Sequence, residues 1–334
     1  MKTQYRILGT GSYLPPLRVS NDDFAAKMDT SDEWIRTRTG ICYRHLSDGE
    51  ETWEMASKAA RQAIRAADIS PLDINVIIVT TLTPDYATPS TACLVQGEIG
   101  ADRAFCMDVN AACTGFIQGF DIAMRYIRTM ENCHVLLISA ESLSKIVDFE
   151  DRSTCVLFGD GAGALVISNA NEKERLFASC LYADGKNGAS MIAAAFPIAN
   201  HPFRNPNQPS HLRYGEMKKP FVEMQGQEVY RFATTAMPKA VEDVVAEAKL
   251  TMDDVQYLIP HQANMRILVS ASKHLHIPED RVLSTIDETG NTSSASIPIC
   301  LDTYIKNGKI KRGDILVLTG FGGGLTYGAV CVEY

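Results

Sequence analysis

The chain has 334 residues, 46% of them hydrophobic and 22% charged, with a net charge of −8; that length exceeds one ordinary core and suggests two closely packed halves of a globular enzyme. An acidic chain is a poor generic nucleic-acid binder, no run approaches the ~20 apolar residues of a membrane span, and the opening Met1-Lys2-Thr3-Gln4-Tyr5-Arg6 lacks the apolar stretch of a signal peptide. The nine cysteines form no C-x-x-C pair and sit mostly in apolar runs, as reduced core residues of a cytoplasmic protein do.

Helical and strand-like patterns alternate along the chain. A helical pattern over 53–67 leads to a strand-like run at 75–81, and a second helix over 90–98 leads to a strand at 104–109. The helix that follows, 114–129, leads to strands at 134–140 and 163–168. Beyond a proline- and asparagine-rich excursion at 200–220, a helix over 227–248 precedes a strand at 255–260 and a helix over 263–274. A last helix over 297–307 leads into strands at 315–319 and 327–334. Such alternation predicts an α/β fold with mainly parallel strands.

Phe158-Gly159-Asp160-Gly161-Ala162-Gly163-Ala164 closes the first half much as Phe321-Gly322-Gly323-Gly324 closes the second, so two similar halves, 1–172 and 173–334, are expected. The first holds 15 basic and 23 acidic residues, the second 17 of each. A basic patch for an acidic partner is therefore expected in the second half, among Lys218, Lys219, Arg231, Arg266 and Lys273. The excursion is either a substrate lid or a surface insertion. Gly9-Thr10-Gly11 runs into Pro15-Pro16 rather than a helix, and so fails the context of a dinucleotide-binding loop.

Cys113, in Asp108-Val109-Asn110-Ala111-Ala112-Cys113-Thr114-Gly115-Phe116, stands where the 104–109 strand meets the 114–129 helix. Unpaired N–H groups and the helix dipole favour a thiolate there; the plainer reading is a buried structural cysteine. His261, in Leu258-Ile259-Pro260-His261-Gln262-Ala263-Asn264, occupies a second strand–helix junction. Asn291, in Glu288-Thr289-Gly290-Asn291-Thr292-Ser293-Ser294, lies in a small-residue loop ahead of another helix. Alone, His261 reads as a satisfied polar residue and Asn291 as a turn or cap. Together the three supply a nucleophile and two neutral donors able to stabilise an enolate or oxyanion.

With Ser31-Asp32-Glu33-Trp34-Ile35 and Arg38-Thr39-Gly40-Ile41, these runs resemble β-ketoacyl-acyl-carrier-protein synthase III in order and spacing across essentially the whole chain. The resemblance implies a thiolase-like, pseudo-duplicated five-layer αβαβα fold, a homodimer, no metal and no cofactor, acyl-CoA being a substrate. It implies decarboxylative Claisen condensation of an acyl-CoA with malonyl-acyl-carrier protein in fatty acid biosynthesis. A priming ketosynthase or acyltransferase of a polyketide or quinolone-type pathway is the rival that would share fold and triad.

Carried over residue by residue, Cys113 takes the acyl group, and His261 and Asn291 hold the malonyl thioester as its enolate forms. The backbone N–H groups of Cys113 and Gly323 make the oxyanion hole. Trp34 would stack on adenine, with Arg152 on its other face and Arg38 near phosphate; Gly226 and Asn264 would border the pantetheine channel. Arg231, Arg266 and Lys273 would form the basic rim that receives the carrier protein. Thr88 stands where acetyl-selective members can carry a phenylalanine that limits the acyl pocket from across the dimer, which implies longer or branched primers. A degradative thiolase would want a second cysteine in the C-terminal glycine loop, and a hydroxymethylglutaryl-CoA synthase a glutamate near 80–83; neither stands there.

Overall fold

The computed structural model describes residues 2–192 and 221–334, so the excursion at 200–220, with Lys218 and Lys219, lies outside the described residues. The first half opens with β1 (Lys2–Gln4), β2 (Arg6–Tyr13) and the paired β3 (Leu17–Ser20) and β4 (Tyr43–Leu46), between which lie α1 (Asn21–Ala25) and α2 (Asp32–Thr39). Then α3 (Thr52–Ala67), β5 (Val76–Thr80), α4 (Thr91–Ile99), β6 (Phe105–Val109), α5 (Gly115–Thr129) and β7 (His134–Glu141) alternate, and α6 (Arg152–Cys155) precedes β8 (Gly161–Ser168). The second half holds β9 (Glu174–Ala183), the short pair β10 (Met191–Ile192) and β11 (Glu223–Met224), α7 (Gly226–Glu247), β12 (Tyr257–Pro260) and α8 (Met265–His274). It ends with α9 (Ile286–Thr289), α10 (Ser296–Lys306), β13 (Ile315–Gly322) and β14 (Thr326–Glu333).

Two five-stranded sheets result, ordered β2-β8-β7-β5-β6 and β1-β9-β14-β13-β12. Strands buried on both faces explain the continuous apolar runs. Along β5 and β7, Ile78, Val135 and Leu137 face inward, while Ile77, Val79, Leu136 and Ile138 face outward. The inward face meets a middle layer of α5 (Phe116, Phe120, Met124) and α10 (Ile297, Leu301), whose other side rests on Leu316, Leu318, Val330 and Val332 of the second sheet. The outer faces are covered by α3 and α4 on one side and α7 on the other. The order is helix, sheet, helix, sheet, helix, an α/β fold of five layers.

The expectation of mainly parallel strands is corrected. Parallel pairing joins β5 to β6 and β7, and β12 to β13; β8, β14, β9 and the edge strands β1 and β2 run antiparallel to their neighbours. The physical reason lies in the connections: β13 returns as β14 through the tight Gly323-Gly324-Leu325 turn, with no helical crossover to force a parallel return. β1 belongs in sequence to the first half but pairs with β9 of the second sheet.

Gly9 and Gly11 find their reason here too. A Cβ on Gly9 would fall 2.3 Å from the Ala67 backbone nitrogen, and one on Gly11 2.4 Å from the Ala59 carbonyl, so α3 packs directly on the β2 backbone.

Candidate active site

Three chain segments meet at the ends of the two sheets. Cys113 lies on a 3₁₀ turn, Ala112–Thr114, between β6 and α5. The turn is tied to the start of β14: the Thr114 hydroxyl donates to the Thr326 carbonyl at 3.1 Å, and the Thr326 hydroxyl donates to Thr114 Oγ1 at 3.0 Å. Gly322 of β13 backs directly onto Cys113. Cys113, Ser293 and Gly323 line a cavity of about 440 Å³ whose other wall is apolar, with Leu82, Ile146 and Phe158. Only 3% of Cys113 is exposed. Burial pushes its thiol up to about 12; the neighbouring Ser293 hydroxyl lowers it and the Glu141 carboxylate raises it further. The thiolate expected at this helix end is therefore not the resting form: desolvation outweighs the helix terminus.

His261 follows β12, and its backbone N–H donates to the Thr319 carbonyl at 2.8 Å, extending the β12–β13 ladder. Its ring packs edge-on to Phe321, with centroids 5.4 Å apart, and Nδ1 lies 2.7 Å from Ser296 Oγ. Burial lowers its pKa to about 3, so the imidazole is neutral.

Asn291 is held from both ends. Its N–H donates to the Leu157 carbonyl at 2.9 Å, and its own carbonyl accepts the Gly159 N–H at 3.0 Å. Its Oδ1 accepts the Ser293 N–H at 2.9 Å, which leaves Nδ2 as the free end of the amide. Cys113 is linked to this loop through the adjacent Ser293, and His261 through Ser296; the structure brings the three predicted residues together by way of one serine-rich turn.

Glu141, at the end of β7, is a participant the sequence reading missed. Fully buried, it accepts hydrogen bonds from Thr81 Oγ1, the Leu82 N–H, Thr83 Oγ1 and, at 2.6 Å, Ser294 Oγ. A glutamate thus does stand beside residues 81–83, contributed by a distant strand. Its four donors bind it as a strut between the 81–83 loop and the Asn291 loop, and burial raises its pKa. A threonine pair at one strand end and a glutamate at the next was the available signal.

A second cavity, about 480 Å³, is lined by Trp34, Arg38, Gly226, Arg231, Asn264 and Arg266 among others. The guanidinium carbons of Arg38 and Arg152 lie 4.6 and 4.8 Å from the Trp34 ring centroid. Trp34 is placed by α2, whose Ser31 cap accepts the Trp34 N–H at 3.1 Å. Asn264 caps α8: its Oδ1 accepts the Arg266 N–H at 2.9 Å and its Nδ2 donates to the Arg38 carbonyl at 3.1 Å. Arg266 and Lys273 border a groove beside this cavity together with Arg36, a cation the sequence reading passed over. Arg231 borders the Trp34 cavity rather than that groove, and pairs with Glu228 at 3.3 Å. Thr88 is exposed and does not line the Cys113 cavity. Among the described residues no group of three His, Cys, Asp or Glu side chains is placed to hold a metal ion, and no helix is long and apolar enough to cross a membrane.

Two family models match the chain: 3-oxoacyl-[acyl-carrier-protein (ACP)] synthase III over residues 107–185, and the C-terminal part of the same enzyme over 245–334. The β-ketoacyl-[acyl-carrier-protein] synthase III of Clostridium tetani is 43% identical over 331 residues, 99% of this chain and 98% of that one. The Neisseria gonorrhoeae protein of the same name is 45% identical over 332 residues, 98% of this chain and 99% of its own. Among solved structures, 3-oxoacyl-[acyl-carrier-protein] synthase III from Aquifex aeolicus superposes with a TM-score of 0.89 at 42% identity, covering 99% of this chain and 100% of that one. The priming β-ketosynthase of the R1128 polyketide pathway superposes with a TM-score of 0.88 at 33% identity, covering 99% and 97%.

Proposed function

The chain belongs to the β-ketoacyl-[acyl-carrier-protein] synthase III family, and from that premise we propose how its residues divide the work. The enzyme initiates fatty acid synthesis by condensing an acyl-CoA primer with malonyl-acyl-carrier protein and releasing carbon dioxide. Cys113 attacks the primer thioester; its sulfur–carbon bond forms, the bond to coenzyme A breaks, and the thiol proton leaves with coenzyme A. The developing oxyanion rests on the N–H groups of Cys113 and Gly323. The malonyl thioester then loses carbon dioxide, and the enolate is held by donors from His261 and Asn291. Its carbon attacks the acyl group, and the Cys113 thiolate leaves and takes a proton from solvent.

The observation that carries this reading is the pairing of a neutral, buried His261 with an Asn291 whose Oδ1 is already occupied. Two such preorganised donors suit an enolate, each worth about 10²–10³ in rate. Coenzyme A is read onto the Trp34 cavity, with the cations Arg38 and Arg152 at the adenine end and Arg266 with Lys273 and Arg36 receiving the acidic carrier protein. Acyl-CoA is a substrate, and the reaction as written calls for neither metal nor cofactor.

A homodimer completes the reading. β6, which feeds the Cys113 turn, is an edge strand with Phe105 43% exposed, and an unpaired apolar edge invites a partner. Thr88 then faces the partner's acyl pocket, and the primers extend beyond acetyl. The compartment is cytoplasmic. A priming ketosynthase of a secondary pathway is the second reading, favoured by the likeness to the R1128 enzyme.

The test is intact-mass spectrometry after incubation with acetyl-CoA and with longer and branched acyl-CoAs. One acyl adduct, absent in Cys113→Ser, is expected; adduct formation in the variant would refute the assignment. His261→Ala should still take up the acyl group and fail in condensation, whereas loss of acylation alone would make His261 a partner of the thiol instead.

A further inference from the structure

Ser293 carries two unfavourable features at once. Its backbone stands in the left-handed region, with φ +51°, where an L side chain crowds the following carbonyl and glycine does not. The residue is only 1% exposed, and its Oγ has no hydrogen-bond partner among the described residues, which leaves a buried polar atom unsatisfied. The main chain, by contrast, is fully engaged: the N–H donates to Asn291 Oδ1 at 2.9 Å and the carbonyl accepts the Ser296 hydroxyl at 2.8 Å. Glycine here would keep both main-chain bonds and remove both costs.

Costs of this kind collect where a side chain serves chemistry. Among the buried, unpartnered side-chain atoms of the described residues, Ser293 Oγ alone belongs to a residue lining the Cys113 cavity. Its neighbour there is the Cys113 thiol, whose ionisation the hydroxyl favours against burial and the Glu141 carboxylate. The sulfur gains negative charge twice in the reaction, as the thiol attacks the primer and as it leaves the condensed product. We propose that Ser293 is a further catalytic residue: its hydroxyl, with no competing acceptor, donates to Cys113 Sγ as the sulfur becomes charged. The hydroxyl keeps its own proton throughout, and the thiol proton still leaves with coenzyme A. The assignment rests on the reading of Cys113 as the nucleophile.

Ser293→Gly separates this role from a structural one, because it relieves the backbone and keeps the bonds to Asn291 and Ser296. It should melt at or above the wild-type temperature. Acyl uptake, timed by rapid-quench intact-mass measurement, should slow about 10- to 100-fold. That is at or below the 10²–10³ that loss of an oxyanion-hole donor costs, sulfur being the weaker acceptor. Ser293→Ala, which keeps the strained backbone, should melt near wild type and slow alike. At pH 8, alkylation of Cys113 by iodoacetamide should slow by about the same factor in both variants, since it too passes through the thiolate. Malonyl decarboxylation by the unacylated enzyme, which does not charge the sulfur, should stay near wild type.

Acyl uptake within about threefold of wild type in both variants would refute the role, as would slowed uptake with unchanged alkylation. An equal fall in decarboxylation and acylation would also refute it, as the mark of a merely structural serine. A wild-type protein that takes up no acyl group on Cys113 would remove the reading beneath the proposal; a wild-type enzyme that acylates normally beside equally fast variants would remove the proposal alone.

Discussion

Replacing Gly322 by alanine tests whether the closeness of β13 to the Cys113 turn sets the oxyanion hole. The added Cβ would lie 2.8 Å from the Cys113 backbone nitrogen, 2.9 Å from its Cβ and 3.2 Å from its Cα. Carbon contacts settle at about 3.5–4.0 Å, so the two segments must part by roughly half an ångström or more. Neither side yields easily. The Cys113 turn is bonded to Thr326, and Gly322 is itself paired with Thr326 in the β13–β14 ladder. The displacement therefore falls on the N–H groups of Cys113 and Gly323. Losing the alignment of one such donor costs about 10²–10³ in rate, so acylation should slow about a hundredfold, with a stability loss of about 1–3 kcal/mol from overpacking. Gly320→Ala is the control: the atoms nearest its Cβ are the Cys113 carbonyl at 3.3 Å and two isoleucine side chains at 3.5 and 3.6 Å. It should acylate near the wild-type rate. Rapid-quench intact-mass measurement of acyl uptake, with calorimetric melting in parallel, supplies both numbers. A Gly322→Ala protein that melts like wild type and acylates within about threefold of it would refute the reasoning.

Three further outcomes are expected. Because burial pushes the Cys113 thiol up to about 12, its alkylation by iodoacetamide should rise about tenfold per pH unit through pH 9 without levelling; a plateau at or below pH 8, read by mass spectrometry, would reveal a thiolate held by the helix end. Trp34→Ala should raise KM for acyl-CoA by about 5- to 150-fold, the equivalent of about 1–3 kcal/mol for one base stacked on an aromatic ring. An acyl-N-acetylcysteamine thioester, which has no adenine, should show the same steady-state kinetics with both proteins, and equal losses on both substrates would move the adenine site elsewhere. Thr88→Phe should suppress turnover of long and branched primers while sparing acetyl-CoA, and an unchanged acyl-CoA panel would place Thr88 away from the acyl pocket.

The strand at 75–81 and the helices at 53–67 and 114–129 are legible because their apolar periods are long and unbroken; the observed Val76–Thr80, Thr52–Ala67 and Gly115–Thr129 differ by a residue or two. β2 is not, because Gly9 and Gly11 weaken the strand signal for the sake of contact with α3. Strand direction is not legible either. The same apolar run serves a parallel or an antiparallel neighbour, and the glycine turn at 323–325 decides it for β14. Cys113, His261 and Asn291 stand out because each sits where an apolar element breaks into small polar residues, and strand ends are where an α/β sheet gathers its chemistry.

The partners of those three residues escape a linear reading for a physical reason. Glu141 reaches Ser294, and Ser296 reaches His261, through side-chain contacts set only once the two sheets close on α5 and α10. The electrostatics follow from the same closure. A helix terminus offers about 0.3–1 kcal/mol to a thiolate in its reach, whereas full burial shifts a titratable group by up to about 3–5 pH units, each about 1.4 kcal/mol. Burial therefore decides, and it decides both groups alike: it keeps Cys113 a thiol and His261 an uncharged imidazole. For a condensing site that is a consistent pair. An uncharged ring that keeps its proton remains a hydrogen-bond donor through the acylation step, and a cysteine that ionises only as it is acylated, and again as product leaves, spares the buried site a standing negative charge beside the carboxylate of Glu141.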